Sequence, residues 1–408
     1  MRGPLMTGSG VRSLAKIVNG VSFFMNNGRV LTLENFKDRS QAISCGMTHH
    51  TDGLIAPGAT GLHDLQGRPI VESYLRRDSG PCVEFPFGKP TPMSVPAETS
   101  LGRLGTVVFI PHVDFDHFGH MLTETAGWLS PLLEPEVCGL RQAGSEALVV
   151  LGGASERDVD RFRGVFDLPG DRVLSTLSIR SPHRCREALI ARPTCINRHA
   201  IHERHFHAVR RLVNRVYGIG PETERELENI VTTSAKTYLS RSRLPAGSRT
   251  IREEEGLENR LAAHGWRVVH PEALPIVDQL ATLKESGVVA GHIGSALHLL
   301  MYFGKRVRNN TVIGLGMGSG RMNANFSNQF RGQSMRFYHL CCLRNVRNGN
   351  GELRLTLPVE TVVRNLEKLA RMDGSERGPC MARISHPPAR RACREATATV
   401  RDPASGRT

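Results

Sequence analysis

From Lys236 onward, short apolar runs alternate with stretches whose apolar residues recur at helical spacing. KTYL (236–239) predicts a strand ending at SRS, and TIREEEGLENRLAAHG (250–265) an amphipathic helix with Thr250 as N-cap and Gly265 as its stop. WRVVHP (266–271) reads as a strand, PIVDQLATLKES (275–286) as a helix with proline in its first turn, and GVVAG (287–291) as a strand. SALHLLMYFG (295–304) reads as a helix, NTVIGLG (310–316) as a strand, and LPVETVVRNLEKLARM (357–372) as one more amphipathic helix. Strands alternating with helices of this length imply a parallel sheet with right-handed crossovers. GVVAG is apolar on both faces, as a covered parallel strand should be.

The first half is less regular. Residues 1–100 read as short strands and turns, with a proline-rich loop at Phe85–Pro96. Gly105–Pro111 (GTVVFIP) predicts a buried strand, followed by a helix from about His117 to Ser130 that is stopped or kinked at Pro131. EALVVLGG (146–153) predicts a second strand and ASERDVDRFRGVF (154–166) a helix. No internal repeat is visible. Beyond Asp373 the apolar content falls away, which predicts a disordered basic tail.

Composition narrows the class. At 408 residues, 39% hydrophobic and 23% charged, the chain has ordinary globular makeup with room for two or three domains. The net charge of +14 favours anionic partners, and only seven of the 53 basic residues are lysine, so forked guanidinium groups are abundant for phosphate. Aromatic stacking patches and helix-turn-helix or RNP signatures are missing, which argues against nucleic acid as the partner. Nine cysteines without a CxxC pair predict free thiols in a reducing cytoplasm. No apolar run is long enough to span a bilayer. A cytoplasmic protein is expected, with peripheral attachment to the inner membrane face left open by the basic surface.

Four constellations could carry chemistry. His117, His120 and Glu124 fall on one helix face just past a buried strand, where a histidine backed by a carboxylate can act as general base. Asp116 competes for that role, and a structural His–Glu pair or a zinc site without the HExxH order are the alternatives. Ser240, Arg241, Ser242 and Arg243 leave the strand KTYL and suit a diphosphate, or form a solvated basic turn. Gly291, Gly294, Ser295 and Ala296 lie at a strand-to-helix turn whose backbone N–H groups could hold phosphate, or which is merely tight. His199, His202, His205 and His207 look like a metal tract, but are read as an exposed polar helix face.

Together these pieces resemble the family 61 glycosyltransferases. The resemblance is carried by FGHMLTET (118–125) with Trp128 and Leu129, then by the long block from Tyr238 to His298. That block contains Tyr-Leu-Ser-Arg, a Glu-rich helix, Pro271-Glu272, Gln279 and Gly-x-x-Gly-Ser-Ala-Leu, in the family's order. It covers about residues 105–345. The motif departs from the family's frequent Gly-x-His-Gly: Ile293 holds the third position and histidine comes one place earlier, at His292. The Asn often found a few residues later is replaced by Leu299 or Leu300.

The resemblance implies an α/β, GT-B-like architecture of two Rossmann-like domains facing a cleft. The expected division is an acceptor-side domain over 1–215, a nucleotide-sugar domain over 216–345, a strand and crossing helix over 346–372, and the tail over 373–408. It further implies inversion at the anomeric carbon without a catalytic metal or resident cofactor. Family members elsewhere transfer xylose or N-acetylglucosamine from UDP. The partners expected are therefore a nucleotide-sugar donor, most simply a UDP-sugar, and a glycan or lipid-linked acceptor in surface polysaccharide synthesis. In this scheme His120 is the base, oriented by Glu124. Arg241 and Arg243 hold the diphosphate with Ser240 and the N–H groups around Gly291, Gly294, Ser295 and Ala296. Glu272 and Gln279 line the donor pocket. A non-catalytic nucleotide- or glycan-binding protein on the same fold is the alternative, kept open by the altered Gly-His-Ile-Gly motif.

Overall fold

The computed structural model describes residues 29–32, 46–74, 77–78, 83–84, 90–133, 147–196, 200–245, 251–317, 324–347 and 353–372. The expected tail, the start of the proline-rich loop and Thr250 lie outside them. The described chain is mixed α/β and is organised by two seven-stranded sheets.

In the first sheet the strands lie in the order Pro69–Ile70, Leu62–His63, Gly46–Ile55, His183–Arg192, Gly102–Ile110, Leu148–Leu151 and Val173–Ser175. The last four run parallel, with Val108 opposite both Leu189 and Val149. Gly102–Ile110 alternates in burial along its first half and is buried throughout Val107–Ile110. Its carboxyl end is therefore the end set in the core, and from it the chain enters the helical segment that begins at Phe118.

That segment continues to Leu133, past the stop expected at Pro131. It is α-helical at Phe118–His120, widens into a π-turn over Met121–Thr125, and is α-helical again at Ala126–Leu133. Proline has no N–H to give the carbonyl four residues back. Here that carbonyl, on Gly127, accepts instead from the Thr194 N–H at 3.3 Å, so the helix passes Pro131 without an orphaned acceptor at that point.

The second sheet has the order Arg29–Thr32, Arg336–Arg347, Thr311–Met317, Val288–His292, Lys236–Leu239 and Arg267–Val269, with Leu353–Thr356 pairing antiparallel to Arg336–Arg347. Its five parallel strands, counted along the chain, follow the order 2-1-3-4-5 of a doubly wound sheet. The chain leaves Lys236–Leu239 to one side and returns on the other, so the crossovers diverge between that strand and Val288–His292. A crevice opens at the carboxyl ends of strands at such a switch point. Arg29–Thr32 pairs antiparallel with Arg336–Arg347, so the unit expected over 1–215 does not contain this strand.

Both faces of the second sheet are covered. Leu257 and Leu261 of helix Glu254–Ala263 pack on one face with Val362 and Leu366 of helix Val359–Arg371. On the other, Leu280 and Leu283 of helix Ile276–Glu285 join an apolar cluster that runs through helix Arg204–Tyr217 to the first sheet. Three local expectations change. The helix expected from Thr250 starts at Glu254, Pro275 caps helix Ile276–Glu285 from outside its first turn, and SALHLLMYFG is α-helical only at Ser295–His298 before tightening into 3-10 turns over Leu299–Val307. The expected exposed histidine face is also corrected: His207 is exposed, but His205 is completely buried because it lies on the apolar side of helix Arg204–Tyr217, and His199 is outside the described residues. Among the described residues no helix is long and apolar enough to cross a membrane.

Candidate active site

The loop leaving Ile110 is fastened to the helix it precedes. The Asp114 N–H donates to Thr125 Oγ1 at 2.9 Å, and the Asp114 carboxylate accepts from the His117 N–H at 2.8 Å. His117 caps the helix, its Nδ1 accepting from the His120 N–H at 3.3 Å, and the two imidazole rings lie 4.2 Å apart. His120 Nδ1 is 2.6 Å from Glu124 Oε2. The Glu124 side chain is 1% exposed and that of His120 is 31% exposed. A carboxylate can only accept, so Nδ1 carries the proton and Nε2 is left as the basic nitrogen on a ring that solvent can reach. The expected pair forms across the π-turn, a feature that often accompanies function.

Asp116 is placed differently. Its carboxylate is held by Arg157 at 3.2 Å and Arg161 at 2.5 Å, both on helix Glu156–Phe166. Those two guanidinium groups tie it to that helix.

At the switch point of the second sheet, Arg241 Nη1 donates to His292 Nδ1 at 3.1 Å. The Arg241 N–H donates to Glu254 Oε1 at 3.0 Å, and the same oxygen accepts from the Tyr238 hydroxyl at 2.8 Å. Glu254 is fully buried, which raises its carboxyl above the ordinary range against the pull of these hydrogen bonds. Ser240 is buried and gives its hydroxyl to Glu258 at 2.5 Å, so the expectation that it faces a diphosphate is corrected: the hydroxyl is consumed inside the fold. Arg243 stands exposed in the turn closed by the Leu244 N–H and the Arg241 carbonyl.

Gly291 pairs with Leu239 in the parallel ladder, and Gly294 is the residue before helix Ser295–His298. A Cβ on Gly294 would lie 3.0 Å from Arg241 Nη1, so the guanidinium lies directly against this turn. The first N–H groups of a helix, here those of Ser295 and Ala296, have no intrahelical partner. A four-residue helix has little dipole, however, so the fixed charge at this turn is that of Arg241. Gln279 sits beside the turn after Arg267–Val269, giving its amide N–H groups to the carbonyls of Pro271 at 2.8 Å and Leu274 at 3.0 Å. It braces the turn that presents the exposed Glu272.

The two halves meet at their helix starts. A Cβ on Gly119 would come within 2.7 Å of Ser295 Oγ, so the first unit's helix and the Gly294 turn are in direct contact. His298, one turn beyond Ser295, is 5% exposed, stacks on Phe326 at 4.1 Å and bonds Gln329 Oε1 through Nδ1 at 2.7 Å. Burial pushes its pKa down to about 4; the bond to Gln329 opposes this, and the charge of His120 adds to it. His120, Gly294 and Arg241 therefore share one region.

Sequence reading missed Glu254, Glu258 and His298 as site-forming groups. A signal was present: Glu254 and Glu258 share the helical stripe of Leu257 and Leu261, and carboxylates on an apolar stripe need partners. Among the described residues no group of three or more His, Cys, Asp or Glu side chains is arranged to hold a metal ion. Cys185, Cys195, Cys341 and Cys342 are buried.

Compared with known proteins, the chain matches the Glycosyltransferase 61 family over residues 118–313. The match begins where the helix of His120 begins and ends in the fourth parallel strand of the second sheet, so the candidates Asp116 and His117 lie just outside it. No curated protein matches the chain.

Proposed function

Over residues 118–313 the chain belongs to glycosyltransferase family 61, and from that premise we propose that it is an inverting transferase taking a sugar from a nucleotide donor, most simply a UDP-sugar, to a hydroxyl of a glycan or lipid-linked acceptor. The two α/β units act as the facing halves of a GT-B arrangement, and the setting is surface polysaccharide synthesis. The observation that supports this best is the contact of Gly119 with Ser295, which brings a carboxylate-backed imidazole to a turn armed with a guanidinium.

Inversion is one in-line displacement. The acceptor oxygen attacks the anomeric carbon as its proton passes to His120 Nε2, and the bond from that carbon to the diphosphate oxygen breaks. Glu124 holds the ring and stabilises the imidazolium that forms. The nucleoside diphosphate leaves against Arg241, the N–H groups of Ser295 and Ala296, and the reachable Arg243. Glu272, on the turn braced by Gln279, serves the donor's sugar or nucleoside. The scheme calls for neither a metal nor a resident cofactor.

A thermal-shift screen against UDP-, GDP-, dTDP- and CMP-sugars identifies the donor, since a ligand bound only by the folded state raises its melting temperature. With that donor, His120→Ala is expected to lower transfer by about 10² to 10³ while leaving donor affinity intact. Arg241→Ala is expected to weaken donor binding. Near-normal transfer by His120→Ala would overturn the base, and unchanged donor affinity in Arg241→Ala the phosphate site.

A further inference from the structure

We propose that His205 is a positioning residue for the transfer: its imidazole holds open the π-turn that sets Glu124 against His120. The proposal rests on His120 being the base and adds a group that touches neither substrate.

The π-turn changes one backbone bond with a local consequence. In an α-helix the Ala126 N–H would bond the Leu122 carbonyl; here it bonds the Met121 carbonyl, five residues back. The Leu122 carbonyl thereby loses its α-helical partner. His205 Nε2 lies 2.9 Å from that carbonyl oxygen. A carbonyl only accepts, so Nε2 carries the proton and donates, which leaves Nδ1 as acceptor. Nδ1 lies 3.0 Å from Thr194 Oγ1, whose hydroxyl proton is free to donate to it. Both ring nitrogens are thus used in one tautomer. His205 is completely buried, and burial pushes its pKa down to about 3, so the ring stays neutral.

Thr194 also donates its N–H to the Gly127 carbonyl at 3.3 Å, the acceptor that Pro131 leaves without an amide. One short stretch therefore serves both irregular points of the helix, Leu122 directly through His205 and Gly127 through its own backbone. Were the His205 donor lost, the Ala126 N–H could return to the Leu122 carbonyl. The helix would tighten toward α geometry, in which His120 and Glu124 still share a face but the carboxylate meets the ring at a different angle, and the 2.6 Å contact is lost. A displacement of about 1 Å remote from the chemistry can cost about 10² in rate.

The test uses full-length protein with histidine labelled by nitrogen-15, and reads the downfield Nδ1–H proton of His120 that a 2.6 Å bond to Glu124 produces. Turnover is read as UDP released from the UDP-sugar that raises the melting temperature most. His205→Ala is expected to lose this resonance and to lower kcat by about 10² with the donor KM unchanged. His205→Gln, whose amide can still donate to Leu122, is expected to recover most of both. If His205→Ala does not fold, Thr194→Val carries the test with a smaller loss in the same direction. The proposal is overturned if a folded His205→Ala, or Thr194→Val in its place, keeps the wild-type His120 resonance. It is equally overturned if His205→Gln is no better than alanine in both readouts. The resonance needs no substrate, so it tells a failure of this proposal from a failure of His120 as base, which would leave the resonance dependent on His205 while His120→Ala remained active.

Discussion

At the scale of single residues, the donor side depends on how Arg241 is held. Its backbone is fixed by Glu254 and its Nη1 by His292, and the absence of a side chain at Gly294 leaves room for the planar group. A lysine at this position would keep charge but lose the fork, which is what aligns with two phosphate oxygens. Arg241→Lys is therefore expected to lose donor affinity almost as fully as Arg241→Ala, by isothermal titration with the donor; affinity near wild type would mean that charge alone suffices. Glu254 makes a separate prediction. Its Oε1 accepts from both the Tyr238 hydroxyl and the Arg241 N–H in a fully buried place, so Glu254→Ala strands two donors. The cost is expected to be about 1–3 kcal/mol in urea unfolding, whereas Glu254→Gln, which keeps an acceptor oxygen, should cost less.

At the scale of elements, the contact between the helix opening at Phe118 and the one opening at Ser295 is what makes a site from two units. Gly119→Ala puts a methyl group 2.7 Å from Ser295 Oγ, closer than such atoms approach, so one helix must move. Overpacking of this kind costs about 1–3 kcal/mol, and activity should fall further than stability because His120 moves with its helix. Adding Ser295→Ala removes the clashing oxygen and is expected to restore much of both; a double variant no better than Gly119→Ala, by melting temperature and turnover, would mean that this contact does not set the spacing. The elements themselves were largely readable. KTYL, GVVAG and NTVIGLG announce themselves as runs of apolar and β-branched residues too short for helices, and all three are central strands of the second sheet. The His120–Glu124 pair was readable because i and i+4 are neighbours in any helix. The π-turn was not, because it depends on a distant imidazole supplying a hydrogen bond, and no local pattern carries that. The same reason hid Arg29–Thr32, a short strand whose place is fixed by its antiparallel partner about 300 residues away.

At the scale of the whole molecule, the burial that keeps several core histidines neutral makes the fold sensitive to acid. Burial lowers the pKa of His205 to about 3, of His298 to about 4 and of His339 to about 4, from an ordinary value of 6.5. Between pH 6.5 and these values the unfolded chain binds protons that the native fold refuses, so stability falls as pH drops through that window. At pH 5 the loss is about 2 kcal/mol for each imidazole, which for three together rivals the total stability of many domains. The Glu367 carboxyl acts in a different range. Burial works against its ionised form, but hydrogen bonds from Lys236, Trp266 and Arg371 outweigh it and hold the pKa down to about 2. Its stabilisation is complete above the ordinary carboxylate range and is lost only as pH falls below it, so it adds nothing between pH 7.5 and 5. Urea midpoints measured at those two pH values should therefore drop steeply in the wild type. His205→Gln, which has no proton to take up, should lose less on acidification than the wild type even where it starts out less stable. Equal drops in the two proteins would mean that His205 is not held neutral by the fold.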